Sequence, residues 1–294
     1  FGRLDAAVGR HQQTVLDAAD GAFDTNEQSY ATWAQTSRVA SDDERRTIQS
    51  DEKLFDIIEY IHANDDAGVT EIATQLDMAK STVHAHLATL EQRRYVVNED
   101  GAYRLGLQFL QHGVHAQNSY PIYQMAKEKV RYLAQETGER AWCQVEEYGL
   151  AYYLCGAEGD HPVHPPVEVG ACVHLHQIAG GKAILAYLSD DRIREILSRY
   201  GLPSNTDDTI TDEASLFEEL DEIRERGYAY NKQESLRGLH AIAAPVRDHN
   251  DEVLGALSIS GPANRLQGET LENDLPELLL GATNELEINL TYSQ

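Results

Sequence analysis

Val69-Thr70-Glu71-Ile72-Ala73-Thr74-Gln75-Leu76, then Asp77-Met78-Ala79-Lys80, then Ser81-Thr82-Val83-His84-Ala85-His86-Leu87-Ala88-Thr89-Leu90 is the stretch that decides the fold. Apolar side chains at 69, 72, 73 and 76 share one face at helical spacing. The pattern breaks over 77–80, and Ser81 stands where the N-cap of a second helix is expected. That helix would turn Val83, Leu87 and Leu90 to a core, leaving Lys80, Thr82, His84, Ala85 and Thr89 outside. Tyr95-Val96-Val97 and Ala102-Tyr103-Arg104-Leu105 flank Asn98-Glu99-Asp100-Gly101, a hairpin signal carrying Asp-Gly. A helix pair with a hairpin directly after it outlines a winged helix-turn-helix, whose second helix reads the DNA major groove. The alternative, a helical pair inside some larger core, leaves the hairpin without a purpose.

Outward from this stretch, Leu54, Ile57, Ile58 and Ile61 mark a preceding helix, and residues 1–47 read as a polar, mostly disordered or weakly helical arm. After the hairpin, Leu105 to Ala116 is expected as a helix with Leu107, Leu110 and Val114 on one side. Gln117-Asn118-Ser119-Tyr120-Pro121 marks a boundary, so the domains are drawn as 48–106, a linker helix over 107–120, and 121–294. In the second domain, helices are expected over Ile122–Thr137, ending at Gly138, from Ala183 to Leu188, from Asp190 to Tyr200, over Glu213–Arg226 before Gly227, and over Asp274–Leu290. Strands are expected over Arg140–Val145, Leu150–Leu154, Val167–His176, Ala241–Val246 and Val253–Ser260. Helices mixed with a largely antiparallel sheet make an α+β domain.

With 294 residues the chain has room for two such domains. Its 49 Asp and Glu against 24 Lys and Arg give a net charge of −25, where a DNA-binding protein is ordinarily basic. Only six of the 24 basic residues are Lys. An acidic, Lys-poor chain suits a halophilic cytoplasm, where molar salt screens self-repulsion within ~3 Å. An ordinary acidic bacterial protein is the alternative. Three Cys give no disulfide framework and fit a reducing cytosol. No apolar run nears the ~18 residues of a membrane span, and no apolar leader stands at the start, so a cytoplasmic location is expected.

Taken together the segments resemble the IclR family of transcription regulators. The resemblance rests on Lys80-Ser81-Thr82-Val83, Leu87-Ala88-Thr89-Leu90, Tyr95-Val96 and Tyr103-Arg104-Leu105-Gly106 in the first domain. In the second it rests on Leu175-His176, Gly181-Lys182-Ala183-Ile184-Leu185-Ala186, Ile210-Thr211-Asp212, Glu222 to Tyr228, Ala243-Ala244-Pro245-Val246 and Ser258-Ile259-Ser260-Gly261-Pro262. It implies an N-terminal winged helix-turn-helix joined by a linker helix to a C-terminal GAF-like effector-binding domain. It also implies homodimers, often paired as homotetramers, on a palindromic double-stranded DNA operator. By the same resemblance Ala179, Gly180, Asn231, Ala241, Ser258 and Ser260 fall on effector-pocket positions. Where the family often carries two acidic residues and, ten positions on, a Cys or Ser, this chain has Asn231, Lys232 and Ala241. That change implies a roomier, less negative pocket, suited to a polyol or sugar acid.

In the reading head, Lys80, Thr82, His84, Ala85 and Thr89 are candidates for phosphates and base edges, with Ser81 on a phosphate at its helix N-terminus. Arg93, Arg94 and Arg104 are candidate phosphate contacts around the wing, although Arg93 and Arg94 also suit a solvated helix end. Ala179-Gly180-Gly181-Lys182 precedes a helix, and its glycines either let backbone approach a ligand or only shape the helix entry. Ser258 and Ser260 share a strand face, with Asn231 closing a third side. His161, His164, His174, His176 and His240 gather near Cys155 and Cys172 in the second domain. Cys172, His174 and His176 alternate, so a metal- or redox-sensing strand is an alternative function. A third reading is a ligand-binding module with a degenerate head. No carboxylate pair, nucleophile motif or phosphate loop points to an enzyme, and nothing calls for a cofactor.

Overall fold

Leu54, Ile57, Ile58 and Ile61 form the inner face of α1 (Gln49–Ala63), the first element of the computed structural model, which describes residues 47–64, 66–160 and 167–292. The arm over 1–46 and the residues His161 and His164 lie outside the described residues. Two compact units divide the chain between Glu128 and Lys129.

In the first unit α1 is followed by β1 (Ala67–Gly68), α2 (Val69–Gln75), α3 (Lys80–Gln92), β2 (Val96–Glu99) and β3 (Ala102–Leu105). Ile57, Ile61, Ile72, Ala73, Val83, Leu87, Leu90, Val96 and Tyr103 make one core, with Val69 and Leu76 packed at its edge. The helical face expected at 69, 72, 73 and 76 therefore holds. At the tip of the hairpin Asp100 and Gly101 have φ of 55° and 95°, the paired left-handed conformation that Asp-Gly supplies at least cost. Two-residue β1 pairs with β3 and completes a three-stranded sheet, order β1-β3-β2. Its brevity hid it in the sequence.

The helix after the hairpin, α4, spans Gln108–Asn118, starting and ending later than expected. Tyr95 fixes it: its ring meets Phe109 edge-on at 4.9 Å and stacks on His112 at 5.7 Å, and its hydroxyl lies 2.8 Å from His112 Nε2. Leu107, Leu110 and Val114 face outward.

Following α5 (Tyr123–Thr137), the second unit carries a six-stranded antiparallel sheet of order β6-β5-β4-β9-β8-β7. Its strands are β4 (Arg140–Glu147), β5 (Leu150–Ala157), β6 (Cys172–His174), β7 (Ala229–Lys232), β8 (Leu239–Arg247) and β9 (Val253–Pro262). One sheet face is covered by α6 (Ala179–Leu185), α7 (Asp190–Tyr200) and α8 (Glu213–Arg226), around Trp142, Tyr153, Ala241, Ala243, Leu216 and Leu220. From the other side α9 (Leu275–Tyr292) packs against β8 and β9, and Glu285 of α9 pairs with Lys129 of α5 at 2.5 Å.

Three expectations are corrected here. The strand drawn over 167–176 is only Cys172–His174, because Leu175–Gln177 turn into a 3-10 helix. The helix drawn from Ala183 begins at Ala179, so Ala179-Gly180-Gly181-Lys182 lies inside its first turn instead of before it. The last helix starts at Leu275, after a π turn over Thr270–Asp274. Gly138 and Gly227, at φ of 70° and 85°, end their helices as read.

Leu87 is fully buried in the first core while Gln75 is exposed. Leu87→Ala should lower unfolding free energy by ~2–5 kcal/mol, and Gln75→Ala by less than ~0.5 kcal/mol. Thermal denaturation at molar KCl checks both; equal effects would place Leu87 outside a core.

Candidate functional sites

The sequence Asp77-Met78-Ala79 turns the chain between α2 and α3, with Asp77 at φ 50° and Ala79 extended. The N–H groups of Thr82 and Val83 both donate to Ala79 O, at 2.9 and 3.1 Å, so Ala79 is the N-cap and α3 begins at Lys80. Ser81 is therefore not the cap; it is an exposed residue of the first turn. Lys80, Ser81, His84, Ala85 and Thr89 are exposed and Thr82 half-buried, while Val83, Leu87 and Leu90 are buried. The Thr89 hydroxyl donates back to Ala85 O at 2.9 Å. Past the helix, Arg93 and Arg94 are exposed, Arg94 in the left-handed conformation at φ 66°. Arg104 on the hairpin reaches Glu99 Oε1 through Nε at 3.0 Å and Nη2 at 2.7 Å, which offsets its charge. Lys53, Lys80, Arg93, Arg94 and Arg104 are the only Lys or Arg between 48 and 106, and acidic residues outnumber them. The exposed face can offer hydrogen bonds to a groove, but little net positive charge.

In the second unit, sheet register sorts the candidate residues into rows on the face that α6 covers. Asn231, Ala241, Ser260 and Arg140 are successive cross-strand partners. The next row runs Ala229, Ala243, Ser258, Trp142, Gly156, and the next Pro245, Ala256, Gln144, Tyr153. Partners directly opposite one another project from the same face. Gly180 of α6 lies on Gln144, where a Cβ would come within 2.5 Å of its Oε1. All six residues expected at the pocket are thus gathered on one face.

Their roles differ. Asn231 is 1 % exposed and faces its own surroundings: Nδ2 donates to Gln177 O at 2.7 Å and Oδ1 accepts from Glu234 N at 3.1 Å. It braces the turn after β7. In that turn Glu234 accepts from Lys182 Nζ at 2.6 and 2.8 Å. Lys182 is itself fully buried, with Glu219 3.4 Å away. Burial pushes the Glu234 carboxyl up from its ordinary value, against the pull of Lys182. Gly181 packs on Leu175, its place for a Cβ taken by backbone.

Sequence reading missed the other wall of this face. Trp142 lies flat over Gly156, where any Cβ would strike the indole, and meets Tyr153 edge-on at 5.0 Å. The Arg140 guanidinium stands 5.6 Å from the Trp142 ring centroid and pairs with Glu158. Burial raises the Tyr153 hydroxyl far above its usual value, with Arg140 opposing. Gln144 Nε2 donates to Ser258 Oγ at 2.8 Å. Alternation of 140, 142 and 144 was visible in the sequence; which face they shared with Ser258, 114 residues on, was not.

Cys172, His174 and His176 do not assemble as a set. Cys172 ends in a contact with the Tyr152 hydroxyl, while His176 has left the strand for the 3-10 turn. The His174 and His176 ring centroids are 5.8 Å apart, and among the described residues no three His, Cys, Asp or Glu are placed to hold a metal ion. Cys155 lies opposite Cys143, and His240 Nδ1 is 2.7 Å from Leu266 O.

Comparison with known proteins agrees along the chain. Residues 52–100 match the IclR helix-turn-helix domain, and 114–287 match the family described as Bacterial transcriptional regulator IclR C-terminal. The "Probable HTH-type transcriptional regulator ArcR" of Halobacterium salinarum is 31% identical over 256 residues, 86% of this chain and 97% of that relative. The crystal structure of Thermotoga maritima IclR superposes with a TM-score of 0.73 at 28% identity, covering 84% of this chain and 100% of that one. An IclR homologue from Microbacterium hydrocarbonoxydans, crystallised with 4-hydroxybenzoate, shares the fold at a TM-score of 0.71 and 21% identity, over 82% of this chain and 98% of that one.

His176 gives this unit an acid sensitivity. Its Nε2 is 3.0 Å from Pro203 O, an acceptor only, so that nitrogen carries the proton of a neutral ring. Burial, above all, pushes its pKa down to about 4 from 6.5. The unfolded chain then binds the extra proton between pH 6.5 and 4, so stability is full above 6.5 and falls as pH drops through that window. The loss attributable to this residue should reach about 3 kcal/mol. His176→Gln should flatten the acid slope of urea midpoints between pH 6.5 and 4; an unaltered slope would show that His176 is not held neutral.

Proposed function

The chain belongs to the IclR family of transcriptional regulators, and on that footing we propose that it is a ligand-responsive regulator of catabolic genes. Residues 48–106 read an inverted repeat in double-stranded DNA through the exposed N-terminal half of α3. Residues 107–120 link this head to the effector-binding and oligomerisation domain, 121–294, and two or four copies act together. The observation that carries the reading is the outward set Lys80, Thr82, His84, Ala85 and Thr89, beside a hairpin bearing Arg104. Ser81, Arg93, Arg94 and Arg104 are assigned to phosphates.

The effector is a small metabolite such as a sugar acid or other organic acid, bound on the face shared by Ala179, Gly180, Ala241, Ser258 and Ser260. The side chains there are small and share the face with Trp142, and hydroxyls of Ser258 and Ser260 offer polar contacts. That the M. hydrocarbonoxydans relative was crystallised with an aromatic acid supports a small acid as the ligand class. Asn231 acts by holding the turn over which the site closes. Binding changes the spacing of paired heads on the operator.

A halophilic, and specifically haloarchaeal, source is proposed from the net charge of −25 and is supported by the H. salinarum relative. In molar salt the counterion-release gain of phosphate contacts fades, so hydrogen bonds and fit carry affinity.

Two experiments follow. Thr82→Ala with His84→Ala should abolish discrimination between the protein's own promoter region and random DNA, each lost base contact costing ~1–3 kcal/mol, with the circular dichroism spectrum unchanged. Normal discrimination would show that α3 does not read the groove. In a KCl titration, operator affinity should rise toward molar salt as the acidic field is screened; affinity falling monotonically would rule out the halophilic reading.

A further inference from the structure

Gln144 is 2 % exposed, in the middle of the face described above. Its carboxamide has two ends and only one is used. Nε2 donates to Ser258 Oγ, while Oε1 is buried without a hydrogen-bond partner among the described residues and lies over the Cα side of Gly180. Exchanging the two ends does not help: Oε1 would then accept from the Ser258 hydroxyl, and the amide N–H groups would be orphaned instead. Leaving such a group unmade is costly, and nearly all buried polar groups in folded proteins are paired. A long polar side chain buried half-paired, between a serine and a glycine, is what a missing hydrogen-bonding group would complete.

We propose that Gln144 determines effector specificity by accepting a hydrogen bond from a hydroxyl of the ligand, so that this protein selects hydroxylated carboxylic acids over the same acids lacking the hydroxyl. The inference rests on the effector site having been placed correctly on this sheet face. The chemistry is a difference of affinities. A ligand with an O–H donor satisfies Oε1 when it binds, whereas an analogue with hydrogen in its place traps the same oxygen unpaired against apolar surface. Neighbouring groups fit this role. Ser258 holds the amide by its other end, Gly180 lets it lie flat where any side chain would collide, and the Trp142 indole gives a flat apolar wall one row away.

The test uses the full chain and three pairs of carboxylates, gluconate with hexanoate, 4-hydroxybenzoate with benzoate, and lactate with propionate, with Kd measured by titration calorimetry. In at least one pair the hydroxylated member should bind the native protein roughly tenfold or more tightly than its partner. Gln144→Leu, similar in size but without the amide, should bring that ratio to near one and leave DNA binding intact; Gln144→Met serves if the leucine variant does not fold. Since a structural role for Gln144 would weaken both members together, the ratio is the readout. Ser260→Leu, which fills the half-buried end of the same face, separates the two possible failures. If the ratio survives at position 144 while Ser260→Leu abolishes binding, hydroxyl selection by Gln144 is wrong and the site stands. If Ser260→Leu binds the probes as the native protein does, the site itself is elsewhere. Failure of all three hydroxylated probes to bind the native protein also overturns the proposal.

Discussion

The close approach of α6 to the sheet is the constraint on which the second unit depends. Gly181 meets the backbone of Leu175, where no Cβ fits, and Gly180 meets the end of the Gln144 side chain, which would have to shift to admit one. Ala179, Ala241 and Ala243 keep the surrounding side chains short. The helix thereby sits low enough for Lys182, one residue further, to deliver a buried ammonium to Glu234 and Glu219. Burying that charge is tolerable only because it is paired; removing one partner of such a pair typically costs ~3–5 kcal/mol. Glu234 in turn holds the turn that Asn231 braces, and the hydroxyls of Thr206 and Thr209 tie the loop between α7 and α8 to the backbone at Gln233 and Glu234. Helix, turn and loop are therefore fixed together around one row of small residues.

The first unit solves a different problem, presenting hydrogen-bonding side chains to an anion from a chain that is itself strongly anionic. Its core is almost wholly apolar, while its few cations are spread over α1 (Lys53), both ends of α3 (Lys80, Arg93, Arg94) and the hairpin (Arg104). Pairing of Arg104 with Glu99 reduces the attraction further. On the proposed halophilic reading, molar salt would make this workable, since screening shortens the reach of unfavourable carboxylates to ~3 Å while direct contacts persist. Tyr95, just past α3, then ties that end of the helix pair to α4 through Phe109 and His112.

What the sequence revealed follows the range of the interactions involved. Asp100-Gly101, Gly138 and Gly227 were readable because each answers a local demand for positive φ. The inner faces of α1, α2 and α3 were readable because burial repeats every three to four residues. Ser81 misled because a good capping residue stood two positions too late, and the backbone chose Ala79 O as first acceptor. His176 misled because the strand ends where Gln177 and His176 reach Pro203 O, 26 and 27 residues away. Gln144 and Trp142 passed unnoticed for the same reason: their partners on β9 are set by register, which alternation alone does not give. The small residues expected at a pocket came from family resemblance, and the large ones beside them from pairing.

The division of labour between the two units is tested most directly by hydrogen exchange of the full chain with and without DNA from its own promoter region, at molar KCl. We expect exchange to slow on DNA binding at amides of residues 80–94 and 96–105, with β4, β8 and β9 unchanged in rate. Protection confined to the six-stranded sheet, or absent from 80–94, would contradict the assignment of α3 and its hairpin as the DNA-reading surface.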